Sequence, residues 1–132
     1  MSTLNVSNIT DGTTTVGTSY VVNGSAKAWF NLNAATPALR DSFNIGSITD
    51  QGTGTYDCNF TSALSNANYS AIGSASTKGS TNSYTSILTT GDEVNSYGLH
   101  STASIRVNTY SNNASALSDP SMVQANIHGD LA

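Results

Sequence analysis

The side chains that could do chemistry are few and scattered. The histidines are His100 and His128, and the only thiol is Cys58. The histidines do not stand at a metal-ligand spacing, and neither has a cysteine or glutamate close by in sequence. Polar positions on strand surfaces or at a subunit contact account for both. Cys58 sits in TYDCNFT, with Tyr56 and Phe60 in its own parity. That placement predicts a buried, inert thiol rather than a nucleophile. No serine lies in a G-x-S-x-G elbow. Asp11, Asp50 and Asp92 all lie in glycine-containing turns. There a carboxylate ordinarily accepts nearby backbone N–H groups in an Asx-turn. Calcium held by such turns is the functional alternative, but DQGTG lacks the repeated acidic positions of an EF-hand loop. Asp92-Glu93 reads as a solvated loop tip. Arg40 with Asp41, and Arg106, stand out because charge is rare, and ion pairs or bonds to carbonyls, within or between subunits, are expected of them. The residues therefore predict no catalytic group, no metal site, no cofactor and no enzyme activity.

The background to these residues is unusual. About four residues in ten are Ser, Thr or Asn, while Asp, Glu, Lys and Arg supply 9%. Ordinary soluble domains carry about 25% charged residues. A net charge of −4 gives nucleic acid and anionic membranes no basic face to meet. No apolar run approaches the roughly 18 residues of a membrane-inserting span. The start, MSTLNVSNIT, has neither a basic segment nor an apolar core, so no signal peptide is read there. The six N-x-[S/T] sequons, at Asn5, Asn8, Asn23, Asn59, Asn68 and Asn113, are expected to stay unmodified. One cysteine permits no intrachain disulfide. A viral structural protein folded in the host cytoplasm and released by lysis reconciles an outward-facing composition with these features, and a chain carried outside on a larger assembly fits as well.

Short runs of Val, Ile, Thr, Tyr and Phe, broken every eight to twelve residues or so by Gly, Asn, Asp or Ser, predict many short strands. No window shows the apolar recurrence of a helix. Residues 1–18 read as an extended N-terminal arm that pairs with a neighbouring subunit or attaches the domain elsewhere, with Leu4, Val6 and Ile9 as its contacts. Asn23-Gly24 predicts a hairpin. Beyond it, Ala26, Ala28, Phe30 and Leu32 share one face, leaving Trp29 on the polar one. Leu39, Asp41, Phe43 and Ile45 form a further parity. Tyr56, Cys58 and Phe60, then Ile105, Val107 and Thr109, then Val123, Ala125 and Ile127, are expected to face inward. Asn126 and His128 then face outward. The predicted fold is all-β: an antiparallel β-sandwich, jelly-roll-like, over residues 19–132. Its core is lined with Ala and Gly and buries little, so subunit association is expected to supply burial, with Trp29, Arg40 and Arg106 as further contact candidates.

Three stretches together resemble a known family: YVVNGSAKAWFNLN (20–33), RDSFNIGSITDQGTGTYDCNFTSALSNANYSAIGSAS (40–76) and SIRVNTYSNNASALSDPSMVQANIHGD (104–130). They are similar to the C-terminal β-domain of tailed-phage tail-fibre and receptor-binding structural proteins of marine and environmental phages. The resemblance spans roughly residues 19–130. It implies a virion protein that forms a homotrimer at a fibre tip or on the particle surface, with no catalytic residue to carry over. Cys58 departs from the family pattern, which has an apolar aliphatic there. The chain also begins just ahead of this domain, as a freestanding virion protein or an excised tip would.

The resulting expectation is a tail-fibre tip or surface-fibre domain that contacts the host cell surface, with a glycan as its partner. Loops carry such contacts. The candidates are Tyr84, Asp92, Glu93, Asn95, Tyr97, Asn112 and Asn113. The alternative is a capsid decoration or cement protein anchored to other virion proteins by the N-terminal arm, with no receptor role.

Overall fold

Apolar and polar residues alternate along most of the strands, so each strand offers one face to a partner sheet. The computed structural model describes residues 2–76, 86–90, 101–111 and 116–132, with the backbone alone for 86–90. Its elements are β1 (Asn8–Thr10), β2 (Thr15–Gly17), α1 (Thr18–Gly24), β3 (Ala28–Asn33), β4 (Ala38–Phe43), β5 (Ile45–Gly52), β6 (Thr55–Phe60), β7 (Ser70–Ala75), β8 (Ser86–Thr90), β9 (Ser104–Ser111), β10 (Ala116–Leu117) and β11 (Val123–His128). Apart from α1 and the separate β1–β2 pair, they form an all-β sandwich of two antiparallel sheets. One has the order β4-β3-β11-β7; the other runs β10-β9-β6-β5, with β8 also paired to β9.

The core lies between the sheets. Ala28, Phe30 and Leu32 of β3 and Val123, Ala125 and Ile127 of β11 meet Tyr56 and Cys58 of β6 and Ile105 and Val107 of β9. Each of these ten side chains is buried. Thr109 joins them, and Phe60 is packed at the margin, edge-on to Tyr69 with ring centroids 5.9 Å apart. The chain crosses from one sheet to the other between β4 and β5 at Asn44, which takes a left-handed φ of 57°. Its amide donates to the carbonyls of Lys27 and Ser62 at 3.1 and 3.0 Å and accepts from the Ser62 N–H at 2.7 Å. Those bonds hold a backbone geometry that asparagine tolerates better than most residues.

Three expectations need correction. The Asn23-Gly24 hairpin is absent, and α1 stands in its place. Both edges of β3 are taken, by β4 and β11, so a strand before Asn23 would have no edge to pair with. The N-terminal residues are also not extended throughout. They fold back at Asp11, whose Oδ1 accepts the Thr13 and Thr14 N–H groups at 3.0 and 2.8 Å, and β1 pairs with β2. Finally, β4 does not keep one parity. Leu39 pairs with Leu32 and Asp41 with Asn31, so Arg40 is the extra residue of a bulge. From there the faces exchange: Ser42 lies opposite Phe30, and Phe43 lies opposite Trp29 on the outer surface, 52% exposed.

Candidate functional site

The seven loop residues expected to meet a receptor, Tyr84, Asp92, Glu93, Asn95, Tyr97, Asn112 and Asn113, lie outside the described residues. The six contact candidates are placed as follows. Leu4, Val6 and Ile9 are exposed on the arm, Leu4 at 84%. Trp29 is half-buried on the outer face of β3. Arg40 donates from Nη2 to the Ser121 carbonyl at 2.6 Å, tying the β4 bulge to the segment that leads into β11. Arg106 meets Asp57 directly across the β6–β9 ladder, Nε to Oδ1 at 2.6 Å and Nη2 to Oδ2 at 2.7 Å.

Several titratable groups are engaged in structure. Asp57 also accepts from Gln51 Nε2 at 2.8 Å. The Arg106 hydrogen bonds hold its carboxyl below the usual range, outweighing partial burial. Asp50 Oδ1 accepts the Gly52 N–H at 2.9 Å, an Asx-turn like that at Asp11. Burial pushes the Cys58 thiol up, with a smaller contribution from the neighbouring Asp57 charge. Burial also pushes the Tyr69 hydroxyl up to about 12, where it donates to the Ser104 carbonyl at 3.0 Å. Tyr56 is fully buried, its hydroxyl 2.6 Å from Asp119 Oδ1 and 3.0 Å from the Ala34 carbonyl. Asp119 Oδ1 also takes the Gly54 N–H at 2.6 Å. Among the described residues, no three of His, Cys, Asp and Glu gather as metal ligands would.

A different set of residues converges on the outer face of the β4-β3-β11-β7 sheet. Register aligns Phe43, Trp29, Asn126 and Ile72 in one row across the four strands. Asp41, Asn31, Gln124 and Ser74 form the next outward row. Between the rows runs an open groove of about 470 Å³, floored by Phe30, Ala125 and Gly73. Ile72 is 70% exposed on one bank. On the other, Gln124 Nε2 donates to Ser74 Oγ at 3.1 Å, and the Asn31 side-chain oxygen is buried with no hydrogen-bond partner. A mainly apolar bank, interrupted by Asn126, facing a polar one suits a ligand with an apolar face and a hydrogen-bonding edge.

Sequence reasoning placed Trp29 and Asn126 outward but did not bring them together. Ile72 carried a readable signal, an apolar residue in the outward parity of β7. Phe43 carried none, because its side is set by the bulge at Arg40. Comparisons of the chain with protein-family models, with curated proteins and with solved structures find no match.

Proposed function

We propose that the chain is a virion structural protein, a phage tail-fibre tip or surface-fibre domain of jelly-roll type that assembles as a homotrimer and contacts the host cell surface. The observation that carries the reading is the exposed apolar arm. Leu4, Val6, Ile9 and Val16 are exposed, and Tyr20, Val21 and Val22 follow on α1, which has no buried residue. The helix is only seven residues long and has no side-chain N-cap. Helices this short draw their stability from packing rather than propensity. The β1–β2 pair forms a sheet of its own, joined to neither sheet of the sandwich. Neighbouring copies would supply the missing cover, and the resemblance of residues 19–130 to tail-fibre domains supports three of them.

The test is the native mass of the full chain and of a chain lacking residues 2–24, by size-exclusion chromatography with light scattering. A trimer that falls to a folded monomer on truncation is the expected result. A full chain that is monomeric overturns the trimer. The separation of the β1–β2 pair from the sandwich favours a second reading, a capsid decoration protein anchored by the arm. Under that reading the full chain is monomeric and binds particles only when residues 2–24 are present.

A further inference from the structure

We propose that the groove on the outer face of the β4-β3-β11-β7 sheet binds a neutral glycan. The inference deepens the host-contact reading and rests on it for where the glycan comes from; the binding itself does not require a trimer or a virion.

The argument begins with the two banks. Trp29, Asn126 and Ile72 line one, with the amide between the two apolar side chains, and Phe43 extends it at the β4 edge. Phe43 and Ile72 are exposed and Trp29 is half-buried, and large apolar side chains so placed in one row mark an interaction surface. A sugar ring matches such a bank with its C–H face, which stacks on aromatic rings. The opposite bank, Asn31, Gln124 and Ser74, supplies amide and hydroxyl groups that both donate and accept, as ring hydroxyls require. Gln124 commits one Nε2 hydrogen to Ser74, which leaves its carbonyl oxygen for a ligand. The buried Asn31 oxygen lacks any donor, and a hydroxyl brought to it would satisfy it. With strands spaced about 4.8 Å apart, the four-strand row is long enough for an oligosaccharide rather than a single ring.

The charge on this face selects the class of glycan. The one formal charge in the two rows is Asp41, whose Oδ1 accepts the Ser42 N–H at 2.8 Å and whose Oδ2 stays available to hydroxyls. No cation stands in either row to pair with a sialic or uronic acid, and Asp41 repels one. His128 lies two residues beyond Asn126 on the same side of β11, opposite Ser70. The alternative occupant, a second copy of the chain, would press Asp41 and the amides into a dry contact. Interface cores are depleted in such charges. The proposal therefore gives Trp29 a ligand and leaves subunit contact to the arm.

Trp29 is the only tryptophan of the chain, so its fluorescence reports from this groove alone. The experiment titrates the full-length protein with neutral hexose and N-acetylhexosamine oligosaccharides, and with their sialylated counterparts, while recording Trp29 emission. Intact host cells are tested for adsorption in parallel. The expected result is a saturable emission change with at least one neutral oligosaccharide. It should weaken at least tenfold in Asn31→Ala/Gln124→Ala, which keeps the tryptophan, and be absent with the sialylated forms. Ile72→Ser provides a second variant on the opposite bank, with the same expected weakening. Circular dichroism confirms that each variant is folded. Four outcomes overturn the proposal: no emission change with any neutral glycan, binding by both variants as tight as that of the unmodified protein, preference for sialylated glycans, or an emission change that follows protein concentration alone. If host adsorption persists while no glycan moves Trp29, the groove assignment fails and the host-contact reading stands; if neutral glycans bind without host adsorption, the reverse holds.

Discussion

Asp57 and Arg106 lie opposite each other on β6 and β9 and close a two-point ion pair on the outer side of the second sheet, with Gln51 as a third partner. Both side chains are mostly covered, at 20% and 11% exposure. A fork-to-fork arrangement fixes strand register as well as adding energy. In a chain with 9% charged residues, it is the one ion pair among the described residues.

Asp57→Asn is expected to lower stability at neutral pH by about 1.5–3 kcal/mol, the range for hydrogen bonds to charged groups. The sign of the pH dependence follows from a carboxyl held below its ordinary value of 3.8 when folded. Its contribution is present above that value and is lost as pH falls through the lower folded value. Urea unfolding of both proteins from pH 7 to pH 2 should show their difference shrinking on the acid side. A difference that stays constant with pH refutes the assignment.

The bulge at Arg40 is tested by two phenylalanines. Phe30→Ala removes a core side chain and should cost about 3–5 kcal/mol. Phe43→Ser, on the outer face, should change stability by no more than about 0.5 kcal/mol. Denaturant midpoints at equal slope distinguish them. A large loss at Phe43 would restore the straight parity and remove the residue from the outer row.

Gly52 and Gly54 both have positive φ, 118° and 68°, yet they should respond differently to alanine. At Gly52 a Cβ meets nothing within 4 Å, so only conformational strain of about 1–3 kcal/mol applies. At Gly54 the Cβ would come within 2.7 Å of Ser118 N and of the Thr109 carbonyl oxygen, both backbone atoms. Gly54→Ala should therefore cost more than Gly52→Ala in thermal unfolding; equal losses would mean that Ser118 yields freely.

Lys27 joins α1 to the sandwich. Its backbone N–H donates to the Ile127 carbonyl at 2.8 Å, while its ammonium reaches the Val22 carbonyl, and Ser25 O and Oγ at 3.1 and 3.0 Å. Lys27→Met keeps the stem and removes those donors. Amide exchange in residues 18–24 should quicken, while the sandwich midpoint shifts by no more than about 1 kcal/mol. Unchanged exchange would show that another contact holds the helix.

The sequence made the core strands legible because β3, β6, β9 and β11 each bury alternate residues against the opposite sheet, and a period of two survives without knowledge of the partner. Phe30, Cys58, Val107 and Ile127 are examples. What stayed hidden depends on pairing. The side of Phe43 follows from one extra residue at Arg40, and no residue type marks that position. The helix appears where β3 has no free edge, a fact of topology rather than of SYVVNG. The groove likewise needs β7, β11 and β3 in register before Ile72, Gln124 and Asn31 become neighbours.

Cys58 is enclosed on every side and is the only sulfhydryl the chain contains. A thiol reagent can reach it only when the sandwich opens, so the labelling rate is an intrinsic clock for that opening. The clock would keep time within any assembly the chain enters as well as in dilute solution. Any grip that neighbouring chains exert on the fold can thus be timed in place, without dismantling the assembly.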